Sequence, residues 1–268
     1  MSANPLVRLS VEDQIATICL TDAARMNPIS IPLQQELLSA LQTVTAQADT
    51  RALILTAEGR GFCVGADLAS MAASGATQAP LGATVAEMMD RWTNPLILGL
   101  RQMRCPVVCA INGAAAGGGA GLALAGDVVV AARSAYFYLP FLPRLGIVPD
   151  CGTSWMMPRY IGRARSTALA LLDERLSAER AAEWGLVWEC VDDEQLPARA
   201  REIATRLAGL PPHAVHEARA LFDASEKNDL AAQLAYERDR QRELIDGPCF
   251  AEGVSAFAQK RAPRFNAA

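Results

Sequence analysis

Three consecutive glycines, Gly117 to Gly119, are the first residues of this chain whose spacing suits chemistry. They follow an apolar run, Val107 to Ile111, whose length and β-branched content predict a buried strand. A helix of small residues is predicted after them, from Ala120 to Ala125. A chain that passes from a strand through glycines into a helix leaves the N–H groups of the first turn unpaired, at the positive end of the helix dipole. Such a place suits an anion or a developing oxyanion.

Two familiar glycine motifs do not fit this stretch. The dinucleotide fingerprint needs a glycine where Leu122 stands, and the phosphate-binding P-loop needs a lysine where Gly119 follows Gly118. Glycines also let a strand and a helix approach each other closely. The residues alone therefore leave two interpretations open, an oxyanion site and a tight packing site.

Asp150 is the second candidate for chemistry. Its neighbours from Leu145 to Cys151 are all uncharged, and burial among them would raise the pKa of its carboxyl towards the range useful for a base. The alternative is a structural role, as the N-cap of a helix that begins at Cys151. The substitution Asp150→Asn separates the two roles, because asparagine keeps a cap acceptor and removes the base.

Composition bounds the possible functions. The chain has 268 residues, of which 51% are hydrophobic, enough to bury the core of one large domain or one and a half. A net charge of −4 with 20% charged residues gives no basic face, which argues against nucleic acid as a partner. Lys227 and Lys260 are the only lysines, so candidates for a Schiff-base lysine are few.

Seven cysteines are scattered through mostly apolar runs, as is typical of buried thiols in a reducing compartment. The two histidines, His213 and His216, have no further ligands nearby in the sequence, so no metal site is predicted. The N-terminus lacks a signal pattern, and no apolar run reaches ~20 residues. We therefore expect a cytoplasmic protein with no membrane association.

The elements that would position these residues alternate between strands and helices. Ser30 is predicted to cap a helix, and Thr84 with Glu87 to form a capping box for another. Strands are predicted at 6–20 (as a pair), 51–57, 107–111, 127–132, 135–139 and 186–191. The last 70 or so residues are predicted to be almost wholly helical.

Five ordered motifs resemble the enoyl-CoA hydratase/isomerase (crotonase) family. They are GFCVGADL (61–68), INGAAAGGGAGLALAGD (111–127), GIVPDCGTSWMMPRYIG (146–162), LSAERAAEWGLV (176–187) and EGVSAFAQKRAP (252–263). The resemblance implies an α/β fold, a spiral of strand–strand–helix units, with an acyl-CoA-binding core over 1–195. It also implies a helical C-terminal trimerisation or lid region over 196–268, and an acyl-CoA thioester as substrate.

By the same resemblance, two backbone N–H groups would polarise the thioester carbonyl, those of Ala66 and Gly118. Each such donor is worth roughly 3–4 kcal/mol of transition-state stabilisation. The neighbouring positions of the two motifs are then expected in the substrate site: Val64, Asp67, Leu68, Gly117 and Gly121.

The chain departs from the hydratase pattern at two places. Hydratases of this family hold water with two glutamates, and the matching positions here are Gly121 and Leu142. Asp150 falls instead where dienoyl-CoA isomerases, phenylacetate ring-epoxide isomerases and aryl-CoA dehalogenases carry an aspartate. Two segments, 92–113 and 146–162, look most similar to the 2-(1,2-epoxy-1,2-dihydrophenyl)acetyl-CoA isomerase group. An isomerase in which Asp150 moves a proton beside the carbonyl is therefore favoured, in fatty acid or phenylacetate catabolism.

An apolar acyl pocket is expected from residues that could equally be plain core: Met71, Met88, Met89, Trp92, Leu96, Leu142 and Trp155. For coenzyme A, Arg25 matches a basic position that faces the phosphates. Phe257 and Lys260 match the terminal helix that closes over the adenine end.

The resemblance implies no tightly bound cofactor, with coenzyme A present as part of the substrate, and a homotrimer or hexamer. Three rival functions stay open. They are a hydratase with a reduced carboxylate set, a non-catalytic acyl-CoA-binding subunit, and a thioesterase that uses Ser154, which is disfavoured because neither histidine lies in an active-site motif.

Overall fold

A computed structural model describes residues 5–67 and 80–265 of the chain. The chain divides into two compact units, residues 1–204 and 205–268. The sequence predicted the division between residues 195 and 196. In the structure it falls inside a helix, Leu196–Ala208, rather than in front of it.

The first unit carries all ten strands of the described residues. They are β1 (Val7–Glu12), β2 (Ile15–Leu20), β3 (Ala52–Ala57), β4 (Gly61–Cys63), β5 (Val107–Ile111), β6 (Ala114–Ala116), β7 (Val128–Ala132), β8 (Tyr136–Tyr138), β9 (Arg175–Ser177) and β10 (Glu189–Val191). The helices up to its end are α1 (Ile31–Ala46), α2 (Leu81–Met88), α3 (Asn94–Arg101), α4 (Gly118–Leu124), α5 (Thr153–Leu171), α6 (Ala178–Trp184) and α7 (Leu196–Ala208).

These strands form two sheets. The larger has the order β1-β2-β3-β5-β7-β10, and the smaller has the order β4-β6-β8-β9. β1 and β2 are an antiparallel hairpin, as predicted, whereas β2, β3, β5, β7 and β10 are parallel neighbours. Because parallel strands need crossover connections, the chain must leave the sheet and return between them.

The crossovers follow one repeating path, which explains the spiral. After β3 in the larger sheet the chain enters β4 in the smaller one, and it repeats this step from β5 to β6 and from β7 to β8. Helices return the chain to the larger sheet, and after β8 the chain passes through α5, β9 of the smaller sheet and α6 before it reaches β10. The fold is therefore α/β, a spiral of strand–strand–helix units, and the predicted fold class is confirmed.

Local sequence accounts for the core elements. All five residues of β5 are buried, which fits its uninterrupted apolar run. The side chain of Ser30 accepts a hydrogen bond from the Leu33 N–H, so the predicted cap of α1 is confirmed. Leu33, Leu37, Leu41 and Val44 of this helix are buried on one face.

The predicted capping box at Thr84 and Glu87 is wrong. Helix α2 begins at Leu81, and the Thr84 N–H donates to the carbonyl of Pro80, inside the first helical turn. The helix continues through a π-helical turn, Met89–Thr93, directly into α3. A π-helical turn inside an α-helix is frequent at functional sites.

The second unit is helical in its described residues, with α8 (Ala214–Ser225), α9 (Leu230–Ile245) and α10 (Pro248–Ala258). This confirms the helical tail expected from the sequence. Several large apolar side chains of these helices are exposed on the single chain, namely Phe222, Leu230, Leu234, Phe250, Val254 and Phe257.

Candidate active site

The glycine stretch folds as a strand, a sharp turn and a helix. β5 ends at Ile111, β6 follows, and Gly117 turns the chain with φ +54° and ψ −132° before α4 starts at Gly118. The helix starts two residues earlier than predicted. Gly117 donates its N–H to the carbonyl of Tyr138 on the neighbouring strand.

Two of the glycines are there for close packing. A β-carbon on Gly119 would lie 2.1 Å from the carbonyl oxygen of Cys63, and one on Gly121 would lie 2.3 Å from the carbonyl oxygen of Cys151. Gly121 is buried and is not among the described residues that line the cavity. It also has no room for a longer side chain such as the hydratase glutamate.

Gly118 differs, because it meets side chains instead of backbone. A β-carbon there would lie 2.8 Å from Sγ of Cys151, 3.1 Å from Cδ1 of Ile29 and 3.4 Å from Oδ1 of Asp150. The structure thus brings Gly118 and Asp150 together, although they are far apart in the sequence.

The segment Val64–Ala66 lies against the same turn. A β-carbon on Gly65 would lie 3.0 Å from the backbone nitrogen of Gly118, and Gly65 has φ +82°. The segment is held by the Ile29 N–H, which donates to the carbonyl of Gly65 at 2.7 Å. Within residues 5–67 and 80–265, neither the Ala66 N–H nor the Gly118 N–H donates a backbone hydrogen bond.

A cavity of about 120 Å³ opens beside these groups. Val64, Ala66, Gly117 and Gly118 form its backbone-rich side. Its apolar wall comes from Ile29, from Val85, Met88 and Met89 on α2 and the π-helical turn, and from Phe141, Leu145 and Ile147. The cavity therefore suits an apolar group attached to a flat, polar one.

Asp150 enters the cavity from the turn before α5. That helix begins at Thr153 with Gly152 as its N-cap, and no side chain of the described residues caps it, so the predicted cap role of Asp150 is wrong. The backbone carbonyl of Asp150 accepts from the Thr153 N–H instead. Its Oδ1 is buried without a hydrogen-bond partner among the described residues. Burial raises the pKa of the Asp150 carboxyl above its ordinary value, an effect that the Cys151 thiol partly opposes.

Cys151 also lines the cavity, and it is buried, with φ +51°. Burial, followed by the neighbouring charge of Asp150, raises the pKa of its thiol. The thiol is therefore protonated at neutral pH and is a poor nucleophile.

Some of the other residues predicted to form the acyl pocket line the cavity, and others do not. Met88 and Met89 line the cavity, whereas Leu96 is part of the core and Trp92 is partly buried beneath the guanidinium of Arg91. Leu142 is 38% exposed, and neither it nor Trp155 is among the described lining residues. The ring of Trp155 stacks instead against Arg159, 3.9 Å from its centroid. Leu68 and Met71 lie outside the described residues.

The residues expected to contact coenzyme A lie in both units. In the first unit Arg25 pairs with Asp22 at 2.6 Å and with Asp67 at 2.9 Å, and these carboxylates raise the pKa of its guanidinium. In the second unit Phe257 is 88% exposed on α10, and Lys260, just after that helix, is exposed with φ +54°.

Sequence reasoning missed four cavity residues of note: Ile29, Thr93, Phe141 and Cys151. Thr93 follows Met89 by one helical turn, so the spacing of the predicted pocket methionines contained a signal for it. Cys151 is adjacent to Asp150 in the sequence. Ile29 and Phe141 offered no comparable signal.

No cluster of three or more His, Cys, Asp or Glu side chains within residues 5–67 and 80–265 could hold a metal ion. None of the helices in the described part of the chain combines the length and the apolar character that crossing a bilayer requires.

This fold and cavity define a crotonase-type α/β protein, and comparison with known proteins supports that class. The crystal structure of the enoyl-CoA hydratase from Bacillus anthracis matches with a TM-score of 0.87 at 32% identity, covering 97% of this chain and 98% of that one. The family model for enoyl-CoA hydratase/isomerase matches residues 10–268. The chain therefore belongs to the enoyl-CoA hydratase/isomerase family.

Two curated relatives cover nearly the whole chain. It is 43% identical to the 1,2-epoxyphenylacetyl-CoA isomerase of Escherichia coli (strain K12) over 256 residues, covering 95% of this chain and 96% of that protein. It is 40% identical over 259 residues to a protein of Rhodobacter capsulatus named "Probable enoyl-CoA hydratase", covering 97% of each.

Proposed function

We propose that this protein is an acyl-CoA isomerase that works through the enolate of a thioester. Asp150 would remove a proton from the carbon next to the thioester carbonyl and return it elsewhere on the acyl group. The N–H groups of Ala66 and Gly118 would hold the enolate oxygen. The observation that carries this proposal is the position of Asp150 Oδ1, 3.4 Å from the place of a β-carbon on Gly118.

The two N–H groups suit the role of an oxyanion hole. Gly65 brings the Val64–Ala66 segment against the backbone nitrogen of Gly118, and both donors lack a backbone acceptor within the described ranges. Donors that are fixed before the reaction stabilise charge as it develops and need no reorganisation, worth roughly 3–4 kcal/mol each.

Asp150 suits a proton-shuttling base. Burial raises the pKa of its carboxyl, which makes it a stronger base than an exposed aspartate. Once it has taken the α-proton, the same group can return it to another carbon, so a double-bond shift needs no second carboxylate. An aryl-epoxide rearrangement begins from the same enolate. The relative named 1,2-epoxyphenylacetyl-CoA isomerase supports this branch.

Enoyl-CoA hydration is the second candidate, and the hydratase names among the similar proteins favour it. Addition of water uses a second carboxylate in the family pattern. Here Gly121 leaves no space for one, because its β-carbon would overlap the Cys151 carbonyl. Asp150 is the one carboxylate among the described residues that line the cavity.

Coenzyme A would enter only as part of the substrate, with no tightly bound cofactor. Arg25 would meet its phosphates. The exposed apolar side chains of α9 and α10 support a homotrimer or hexamer, and the seven scattered, mostly buried cysteines support a reducing, cytoplasmic location.

The test is to incubate the protein separately with crotonyl-CoA, a 3-enoyl-CoA and an aryl-epoxide CoA. Rearrangement of either of the last two is expected, along with exchange of the α-proton in deuterated water. Asp150→Asn should lower both by about a hundredfold or more. Asp49→Asn, at an exposed position, is the matched control and should change neither.

The other outcomes identify the rivals. Addition of water to crotonyl-CoA without rearrangement of the other substrates would make the protein a hydratase. Tight binding of all three thioesters without any reaction would make it an acyl-CoA-binding subunit.

A further inference from the structure

Among the described residues that line the cavity, Thr93 is the one whose side chain carries a hydroxyl. Thr93 ends the π-helical turn between α2 and α3 and is only 4% exposed. The other described side chains that line the cavity are apolar, except those of Asp150 and Cys151. A single hydroxyl in an apolar cavity is the kind of polar group that sets the orientation of a ligand.

Thr93 is paired with a second buried polar residue, Gln34. Gln34 lies on the buried face of α1 between core leucines, and none of its surface is exposed. The hydroxyl of Thr93 donates to Oε1 of Gln34 at 2.7 Å. The Nε2 group of Gln34 has no hydrogen-bond partner among the described residues. An unpartnered, fully buried amide N–H is rare and calls for an explanation.

A ligand oxygen atom in the cavity would change which polar atoms of Thr93 and Gln34 have a hydrogen-bond partner. If the Gln34 amide turns over, Nε2 donates to Oγ1 of Thr93, and the Thr93 hydroxyl is then free to donate into the cavity. The unpartnered group becomes a carbonyl oxygen, which is tolerated better than an unpartnered N–H. This arrangement is complete only when an acceptor is present to receive the Thr93 hydrogen.

We propose that Thr93, positioned by Gln34, is a specificity-determining residue that donates a hydrogen bond to an oxygen atom on the acyl group. The ligand class is an acyl-CoA whose acyl part carries an ether, epoxide or ring oxygen in otherwise apolar surroundings. The inference rests on the proposed function, because it assumes that the acyl group occupies this cavity.

The other polar groups of the cavity leave this task to Thr93. Ionised Asp150 only accepts hydrogen bonds and would repel an oxygen lone pair. The Cys151 thiol is a weak donor and is already hydrogen-bonded to Asp150. The N–H groups of Ala66 and Gly118 are assigned to the thioester oxygen. A purely hydrocarbon acyl group would leave Thr93 bonded to Gln34 as it is now, so the site accepts both kinds of acyl group and prefers the oxygenated one.

The test uses binding of unreactive thioesters, so that it does not depend on catalysis. Cyclohexylacetyl-CoA is compared by calorimetry with the three oxanylacetyl-CoA isomers, in which one ring CH₂ is replaced by oxygen. For the best oxanyl isomer, the affinity ratio to the cyclohexyl compound should fall about three- to tenfold in Thr93→Val. Thr93→Ser keeps the hydroxyl and should keep the ratio, as should the remote control Thr43→Val.

Valine at position 93 leaves both polar atoms of Gln34 without a partner, which lowers stability. The double variant Gln34→Leu, Thr93→Val removes both partners together and is measured in parallel, with the same loss of preference expected. A ratio that stays at its wild-type value in both variants overturns the inference and leaves the proposed function standing. If the wild type binds none of the thioesters, the proposed function fails, and the inference fails with it.

Discussion

Oδ1 of Asp150 lies 3.4 Å from the point where a β-carbon would stand on Gly118. The two residues belong to different turns of the spiral, since Gly118 begins α4 and Asp150 precedes α5. Their proximity places a carboxyl whose pKa is raised by burial beside a backbone N–H that makes no backbone hydrogen bond within the described residues. A small group bound between them could therefore lose a proton to the carboxyl and have its developing charge stabilised by the N–H.

The first prediction concerns Gly118→Ala. The new β-carbon would meet Sγ of Cys151 at 2.8 Å and press on Asp150, so both the Gly118 N–H and the Asp150 carboxyl would move. We expect turnover of a 3-enoyl-CoA to fall about a hundredfold, the loss typical of one misplaced oxyanion donor. The control is Gly82→Ala on α2, where no atom of the described residues lies within 4 Å of the new carbon. Wild-type turnover in a folded Gly118→Ala protein would contradict the assignment.

The second prediction concerns stability against pH. Burial raises the pKa of the Asp150 carboxyl in the folded state, so folding favours its protonated form. Below the ordinary pKa of an aspartate, both states are protonated and the group has no effect. As the pH rises from that value through the raised pKa, the unfolded state loses its proton first, and the free energy of unfolding falls. Above the raised pKa the loss is complete and constant.

Asp150→Asn cannot ionise and should lack this decrease. Urea unfolding of the two proteins at several pH values measures the difference, and Asp49→Asn, which keeps Asp150, should follow the wild type. The variant is expected to gain stability relative to the wild type as the pH rises through the window. A constant difference across the window would show that the Asp150 pKa is the same in the folded and unfolded states.

Much of the fold could be predicted from the sequence, because its elements depend on local patterns of residues. The strand Val107–Ile111 and the Ser30 cap were found where the sequence predicted them, since each is set by a few consecutive residues. The capping box at Thr84 failed because helix α2 begins earlier, at Leu81, and so puts Thr84 inside the helix. Competing start signals within one turn are not separated by a motif alone.

Residues of the candidate site could be predicted from the sequence only where they belong to a motif. Asp150 was singled out by its uncharged neighbours and its motif, but its position beside Gly118 could be seen only in the fold. The hydrogen bond from Thr93 to Gln34 joins residues 59 positions apart, and no sequence pattern pairs them. Leu142 was expected in the pocket, yet the π-helical turn Phe141–Leu145 buries Phe141 and leaves Leu142 exposed.

The third prediction separates packing glycines from functional ones. Gly121→Ala puts a β-carbon 2.3 Å from the carbonyl oxygen of Cys151, and backbone cannot move aside as cheaply as a side chain. We expect a loss of about 1–3 kcal/mol or more in the free energy of unfolding, measured with urea. Gly99→Ala on α3 is the control, because its β-carbon would make an ordinary 3.6 Å contact with Leu41. Equal stability of the two variants would be inconsistent with this packing.

The last prediction concerns Arg25 and the phosphates of coenzyme A. Its guanidinium is half exposed and already held by Asp22 and Asp67, so it is fixed in place before a phosphate arrives. Arg25→Gln removes one charge-assisted contact, and we expect the KM for an acyl-CoA to rise about tenfold while kcat changes little. Added salt should raise the wild-type KM and have less effect on the variant, because screening acts on the charge that the variant lacks.

Arg8→Gln is the matched control, since Arg8 also forms an exposed ion pair, with Glu58, and is not expected to contact the substrate. It should leave both KM and its salt dependence unchanged. A lower kcat with an unchanged KM in Arg25→Gln would instead mean that Arg25 acts through Asp67 on the position of Ala66. In that case the phosphates would have to be bound elsewhere.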